Sequence, residues 1–147
     1  MAEKKNKNLF LWEQVETTDP EFTTKVNQRG GFTAIGAQYQ IKNATEVFGS
    51  FGHGFGVIDE KYTPILNDTL IVYTATFYYK YKDEAGDVKG DFPISSSIKV
   101  MMGSKLDDDC IKKVQTDAIT KGLSRLGFNA DVFMGRFDGN KYVDATG

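Results

Sequence analysis

The stretch Thr69-Leu-Ile-Val-Tyr-Thr-Ala-Thr-Phe-Tyr-Tyr-Lys-Tyr81 decides the fold of this chain. Its odd-numbered positions are nearly all large and apolar, whereas Thr74, Thr76 and Lys80 occupy even-numbered positions. Successive side chains of a strand point to opposite faces of the sheet. The pattern therefore predicts a strand over Thr69–Tyr81 with one buried face and one partly wet face.

Two further strands are predicted beside this one. The turn residues of Lys82–Asp87 are followed by a second extended segment, Val88–Met101, which predicts a long antiparallel hairpin. Upstream, the glycine-rich segment Gly49–Gly56 leads into a predicted strand over Phe55–Thr63, which we expect to end near Pro64. The three strands together predict a curved meander.

A helix is predicted on each side of the meander. Apolar residues recur at helical spacing over Ala34–Phe48, and Gly49 follows where a glycine cap belongs. The acidic run Asp107–Asp109 predicts the start of a second helix that runs to Leu126, because acids complement the positive end of the helix dipole. Lys121 and Arg125 lie four residues apart along one edge of its apolar stripe, which comprises Ile111, Val114, Ala118, Ile119, Gly122, Leu123 and Leu126.

The remaining segments carry weaker patterns. Residues 1–8 predict a flexible, solvated tail, and Leu9–Val15 predicts a short docked helix. The segment 19–31 is interpreted as a loop or irregular extended chain, and residues 127–147 give no firm element. The predicted fold class is α+β, with one domain over residues 9–147.

Composition restricts the classes of protein that fit. The chain has 147 residues and is 40% hydrophobic, which suits one globular domain, and no apolar run reaches the roughly 20 residues of a membrane span. The lysine-rich N-terminus lacks the apolar region of a secretory signal, and a single cysteine, Cys110, with a single histidine, His53, predicts neither a disulfide nor a zinc site. We expect a cytoplasmic protein without cofactor.

The net charge of −2 and the pI near 5.4 count against nucleic-acid binding. The distribution of charge weakens this objection, because residues 1–42 hold six basic residues against five acidic ones. A local basic stripe is compatible with a mildly acidic total.

Two segments carry a resemblance to a known family. The sequence Ala34-Ile-Gly-Ala-Gln-Tyr-Gln-Ile-Lys-Asn-Ala-Thr-Glu-Val-Phe-Gly49, followed by a glycine-aromatic segment, resembles the first helix of the Rad-fifty-two superfamily of single-strand annealing proteins, its phage members above all. The sequence Lys112-Lys-Val-Gln-Thr-Asp-Ala-Ile-Thr-Lys-Gly-Leu-Ser-Arg-Leu-Gly-Phe128 is similar to the helix of that family whose basic residues line the DNA groove. The resemblance covers roughly residues 30 to 130.

The resemblance implies a β-β-β-α core whose protomers assemble into a ring or filament. It implies binding of single-stranded DNA and ATP-independent annealing of complementary strands in homologous recombination or phage DNA repair, without enzymatic activity. The partners it implies are single-stranded DNA, further copies of the chain, and a phage exonuclease or a single-strand-binding protein, in the cytoplasm of a bacterial host. No membrane partner is expected.

The same resemblance assigns the candidate DNA-binding residues. Arg125 matches the groove-lining basic position, and Lys25 or Arg29 falls near the family's basic residue ahead of the first helix. Two features depart from the family: Ser124 precedes Arg125 where many relatives have two adjacent basic residues, and Phe55 stands where an indole is common. The groove is then less basic, or it recruits Lys112, Lys113 or Lys121 instead.

Each candidate also has a simpler interpretation. Arg125 and Lys121 could be ordinary solvated or salt-bridged residues of a helix surface. Strand periodicity assigns most tyrosines to the core or a subunit interface, which leaves Tyr78, on the alternate face, as the candidate for stacking on bases. His53 is interpreted as a loop histidine, Asp107–Asp109 as a helix start, and the glycine-rich segment lacks the lysine of a phosphate loop.

Three alternative functions remain open at this stage. A plain single-strand DNA-binding protein that protects without annealing needs nearly the same residues. A small nuclease would need convergent acids, and Asp131, Asp138 and Asp144 are too scattered to predict one. A structural oligomer without a DNA role would suit the acidic pI.

Overall fold

The computed structural model describes residues 6–19, 21, 23–26 and 32–134; for residues 23–26, 32–35 and 133 it describes the backbone alone. Two compact units are present, one within residues 1–43 and 123–147 and the other over Ala44–Gly122. Their boundaries fall inside two helices, α2 (Ala37–Phe48) and α3 (Cys110–Arg125). None of the described helices is long and apolar enough to cross a bilayer.

The Ala44–Gly122 unit is built on the predicted meander. Its sheet has the order β3 (Phe55–Ile65), β4 (Leu70–Asp83), β5 (Gly86–Lys99), and both pairings are antiparallel. Strand β3 continues past Pro64, which pairs with Ile71, because an edge strand tolerates the missing N–H of proline. The α+β class and the three-stranded antiparallel sheet are therefore confirmed.

The odd-numbered side chains of β4 form the core of this unit, as the alternation predicts. Tyr73, Ala75 and Phe77 are buried, and Phe55 of β3 and Ile94 of β5 are buried beside them. Helix α3 lies against this face at Gly122, where a β-carbon would come within 3.0 Å of the Cγ2 atom of Ile94. The glycine therefore sets how closely the helix approaches the sheet.

A polar contact also connects α3 to the sheet. Strand β3 has a bulge between Ile58 and Lys61, and Glu60 lies within it. The Tyr73 hydroxyl donates to the Glu60 Oε1 atom at 2.7 Å, and the Gln115 side-chain amide of α3 donates to the same oxygen. Burial above all, with the Glu60 hydrogen bond, raises the pKa of Tyr73, so the phenol keeps its proton. The bulge thereby redirects an edge-strand carboxylate toward the helix.

The segment before α2 differs from its prediction. Helix α2 begins at Ala37 and not at Ala34, and Gly49 follows it with a φ of 105°, as predicted for the cap. The four residues Phe32–Ile35 form strand β2, although Ala34 and Ile35 were predicted as the start of the helix. Strand β2 pairs antiparallel with β1 (Thr23–Val26), where a loop or irregular extended chain was predicted. Strands of four residues are too short for alternation to separate them from loop.

The short helices at both ends belong to the other unit. A 3-10 turn over Lys7–Leu9 precedes α1 (Phe10–Val15), which confirms the predicted docked helix, and Met1–Lys5 of the predicted tail lie outside the described residues. After α3, the chain forms α4 (Ala130–Phe133), where no firm element was predicted. Remaining helix bounds agree closely, although α3 begins at Cys110, just after the aspartate run.

A buried polar cluster holds the N-terminal segment against α4. The Thr18 backbone N–H donates to Asp131 Oδ2 at 2.8 Å, and the Thr18 hydroxyl donates to Asp131 Oδ1. The Asn129 amide donates to the Thr18 hydroxyl oxygen at 2.8 Å. Breaking one of these bonds would leave a buried polar group unpaired, so the cluster fixes the register of the two segments.

The end of α3 is a Schellman motif centred on Gly127. The Phe128 N–H donates to the Leu123 carbonyl at 3.3 Å, the Gly127 N–H donates to the Ser124 carbonyl at 3.1 Å, and Gly127 has a φ of 100°. A β-carbon at Gly127 would lie 2.6 Å from Trp12 Cδ2. Glycine is therefore required twice, for its backbone angle and for its lack of a side chain.

We predict that Gly127→Ala destabilises the protein through both requirements. The left-handed backbone costs about 1–2 kcal/mol in a residue with a β-carbon, and the collision with Trp12 adds to it. Thermal unfolding followed by circular dichroism should show a lower Tm. In a Trp12→Ala background the collision is removed, so the cost of Gly127→Ala should fall toward the backbone value alone. An equal cost in both backgrounds would contradict the packing argument.

Candidate nucleic-acid interface

Helix α3 carries four of the predicted DNA-binding residues. Lys112 and Lys113 lie in its first turn, Lys121 in its penultimate turn, and Arg125 at its last residue. All four are exposed to solvent. Their surroundings differ, and these differences decide which of them is available for a phosphate.

Arg125 is positioned by the anchored end of the helix. The buried side chain of Gln40 in α2 donates from Nε2 to the Ser124 hydroxyl at 3.3 Å and to the Phe128 carbonyl at 3.5 Å. These contacts hold the residues on either side of Arg125. Within the described part of the chain, the Arg125 guanidinium has no ion pair. None of the described acidic residues therefore neutralises its charge.

Lys121 has a counterion on its own helix. Its Nζ lies 2.8 Å from Asp117 Oδ2, four residues earlier, and the Ser96 hydroxyl of β5 donates to the same oxygen. Partial burial alone would raise the pKa of Asp117, but the hydrogen bonds from Lys121 and Ser96 and the charge of Lys121 outweigh it, so this pKa lies below its ordinary value. Lys121 would have to exchange this carboxylate for a phosphate.

The aspartate run neutralises Lys113. Asp107 Oδ2 lies 3.0 Å from the Lys113 Nζ, while Asp107 Oδ1 accepts the backbone N–H of Asp109. The hydrogen bond from Lys113 is the largest cause of a lowered pKa at Asp107, and the same bond raises the pKa of Lys113. The run immediately precedes α3 and does not form its first turn as predicted, and Asp107 is the counterion of Lys113. Lys112 has no ion pair among the described residues.

The other predicted residues lie away from α3 in the chain. Lys25 is in β1 opposite Thr33, with only its backbone described, and Arg29 lies outside the described residues. Tyr78 is half-buried, and its ring lies across Gly56, where a β-carbon would be 2.7 Å from the Tyr78 hydroxyl. It points away from the core, on the face that periodicity predicted.

Sequence reasoning missed a second set of basic residues. The sheet face that carries Tyr78 also carries five lysines, of which only Lys80 was noted, as a sign of a wet face. The signal that could have found them was the hairpin register, which assigns each residue of the neighbouring strands to a face. The set consists of Lys61, Lys80, Lys82, Lys89 and Lys99.

The structure also shows the surroundings of His53 and of the side chains that could hold a metal ion. His53 is exposed in the turn between α2 and β3, and its backbone N–H donates to the Ser50 carbonyl at 2.9 Å. Among the residues that the structure describes, no three His, Cys, Asp or Glu side chains are grouped to hold a metal ion. Neither a histidine-based site nor a metal site therefore emerges from the described residues, and the exposed basic residues of α3 and of the sheet are the candidates that remain.

Comparison with known proteins adds no assignment. No family model matches the chain, and no curated protein matches it. The resemblance to single-strand annealing proteins therefore depends on the two quoted segments and remains a hypothesis.

We predict that Lys121→Gln raises the pKa of Asp117. Because the folded pKa of Asp117 is lowered, its pairing stabilises the protein above the unfolded pKa and is lost as pH falls through the folded pKa. Removing Lys121 should bring the folded pKa closer to the unfolded one, so Asp117 should contribute less to the loss of stability on acidification than in wild type. Carboxyl ¹³C NMR titration measures the pKa directly. Lys112→Gln, an exposed lysine without an ion pair, is the control, and equal pKa values in wild type and Lys121→Gln would contradict the pairing.

Proposed function

We propose that this protein binds single-stranded DNA and anneals complementary strands without ATP, as a non-enzymatic homo-oligomer acting in recombination or phage DNA repair. The observation that carries the proposal is the exposed, unneutralised Arg125 at the anchored end of α3. This supports the family resemblance, which assigns the residue position of Arg125 to the DNA groove. The meander between the two helices supports the same resemblance at the level of topology.

Arginine suits a phosphate contact at this position. Its planar guanidinium holds phosphate oxygens in two directions and keeps its charge at any physiological pH. Ser124 and Phe128 are held by Gln40, so the backbone at Arg125 is fixed before a strand arrives. A preorganised contact loses less conformational entropy on binding.

Phosphate contacts also explain how binding could assist pairing. A protein that neutralises the backbone without reading the bases leaves the base edges free to test a second strand. Neutralisation further reduces the repulsion between two strands. No nucleotide hydrolysis is needed for either effect.

Self-association is proposed from the apolar side chains at one end of the sheet. After β5, the two-residue strands β6 (Met101–Met102) and β7 (Lys105–Leu106) pair antiparallel in a short hairpin. The Val100 N–H donates to the Thr69 carbonyl, and the Asp107 N–H donates to the Val100 carbonyl, so the β3–β4 turn and this hairpin lie at the same end of the sheet. Exposed there are Leu66, Met102 and Leu106, at 69%, 62% and 69% of their full accessible area. Exposed apolar clusters of this kind typically mark a protein contact.

We predict that the wild-type protein accelerates pairing of two complementary labelled strands without nucleotide, and that Arg125→Ala reduces both pairing and strand affinity. The lost phosphate contact should lower the salt slope of single-strand binding by about 0.7. Arg125→Lys should fall between the two, because it keeps the charge without the fork. Fluorescence anisotropy on a homopolymer strand and quenching of paired labels provide the measurements.

Three results would contradict this proposal or part of it. If the wild-type protein required a nucleoside triphosphate for pairing, the ATP-independent mechanism would be excluded. If it bound strands but slowed their pairing, it would be a protective single-strand-binding protein. Arg125→Ala that behaves as wild type, at matched Tm and native mass, would remove Arg125 from the site.

We predict that the native mass is a multiple of the 16.4 kDa chain mass at micromolar concentration. Light scattering with and without a DNA strand measures it. Leu66→Ser with Leu106→Ser should lower the mass by weakening the contact. Leu9→Ser, at an exposed leucine of the other unit, is the control. A single-chain mass with and without DNA would overturn the self-association proposal.

A further inference from the structure

One face of the three-stranded sheet concentrates positive charge. We call it the even face, defined by the even-numbered residues of β4 from Leu70 to Lys82 and their cross-strand partners. Its ionisable residues are five lysines and two aspartates, Lys61, Lys80, Lys82, Lys89, Lys99, Asp87 and Asp91. The Ala44–Gly122 unit as a whole has more acidic than basic residues. Basic residues are therefore segregated onto this face.

Two of the lysines oppose each other directly. Lys80 of β4 pairs in register with Lys89 of β5, so both ammonium groups leave the same face from adjacent strands. Like charges in directly opposite positions destabilise a sheet. Neither lysine has an ion pair among the described residues, although Asp87 lies opposite Lys82 and Asp91 opposite Tyr78. An external anion would relieve this repulsion.

Neighbouring side chains on the face are of the kind that contacts phosphate. Thr74 pairs with Ser95, and Ser97 is two residues further along β5, so hydroxyl groups lie in a row beside the lysines. Lysine and hydroxyl groups supply a large share of protein contacts to nucleic-acid phosphates. Tyr78 lies between Lys80 and these hydroxyls along β4, and an aromatic ring can stack on a base of any identity.

We propose that the even face binds the phosphate backbone of a single nucleic-acid strand, as a second site separate from Arg125. That the ligand is single-stranded nucleic acid rests on the proposed function, whereas the location of the site rests on the lysines of the even face. The lysines extend over β4 and its partners, and 14 residues of strand span roughly 46 Å. A long, narrow row of cations fits a linear polyanion. An anionic membrane would favour bulky aliphatic side chains among the cations. The face carries such side chains near Lys61 and Lys99, namely Ile58, Ile65, Leu70 and Val72, but none beside the opposed lysines Lys80 and Lys89.

A second site has a function in annealing. A protein with one strand-binding surface holds one strand, whereas two surfaces on the same protomer hold two strands at once. The local concentration of the second strand then rises without any new contact between the bases. The even face would therefore raise the rate of pairing more than it raises the affinity for a single strand.

The first test is acetylation of lysines with and without an oligodeoxythymidine strand, read by mass spectrometry on the full-length protein. Lys80, Lys82 and Lys89 should be protected by the strand, while Lys7 and Lys105, exposed lysines that do not belong to the even face, should not. The same protection should persist in Arg125→Ala, because the two sites are separate. Protection by phosphatidylserine vesicles but not by DNA would overturn the proposal in favour of a membrane surface.

The second test removes the opposed pair. Lys80→Gln with Lys89→Gln should lower the salt slope of strand binding by about 1.4, at roughly 0.7 for each lost contact to a single strand. Lys7→Gln with Lys105→Gln is the control, since it changes the net charge equally. Lys80→Arg with Lys89→Arg should retain binding. Because the glutamine pair removes a repulsion, its Tm should not fall, which separates lost binding from lost folding.

The outcomes distinguish this inference from the proposed function. Protection of the face in a protein that does not accelerate pairing would refute annealing and support the second site. Pairing that depends on Arg125, with Lys80 and Lys89 unprotected and the glutamine pair binding as wild type, would refute the second site alone. A wild-type protein that binds no strand would refute both.

Discussion

The fold of the Ala44–Gly122 unit depends on the close approach of α3 to the sheet at Gly122. With no β-carbon there, the helix backbone reaches Ile94 and Phe77, and the odd face of β4 becomes the core. The position of the helix therefore determines which face of the sheet reaches solvent. The side chains that the helix covers are aromatic and apolar, and the side chains on the other face carry the lysines.

Charge and burial are separated in the same way along α3. Val114, Ala118, Ile119 and Leu123 of the apolar stripe are buried, whereas Ile111 at its N-terminal end is exposed, as are the basic residues of the helix. Asp117 pairs with Lys121, and Asp107 pairs with Lys113, whereas Arg125 has no ion pair among the described residues. An acidic protein can therefore present local cationic surfaces. The overall pI is a poor guide to binding in such a case, because a strand senses charge within about 10 Å at ordinary salt.

The sequence predicted most of the fold, since long elements produce clear periodicity. Alternation over β4 identified the buried face, and the stripe on α3 identified a helix with an inward side. The β1–β2 hairpin was missed because four-residue strands leave too few positions for a pattern, and α4 was missed for the same reason. The end of β3 was predicted too early, near Pro64. A proline is accommodated in an edge strand but not in a central one, so its effect depends on the position of the strand in the sheet.

The candidate site was predictable in part. The exposure of Arg125 followed from its place beside the apolar stripe, and the Lys121–Asp117 pair could have been read from a spacing of four residues. Two features could not be predicted from local sequence patterns. The contact between Asp107 and Lys113 depends on the turn before α3, and the lysines of the even face meet only through the register of two strands.

The salt dependence of wild-type binding to a homopolymer DNA strand tests the central claim most directly. The claim is that phosphates, held by unneutralised cations, supply the affinity. If three or more cations contribute, the logarithm of affinity should fall linearly with the logarithm of salt concentration, with a slope of about −2 or steeper. Absence of binding at low salt, or an affinity that does not change with salt, would contradict the account.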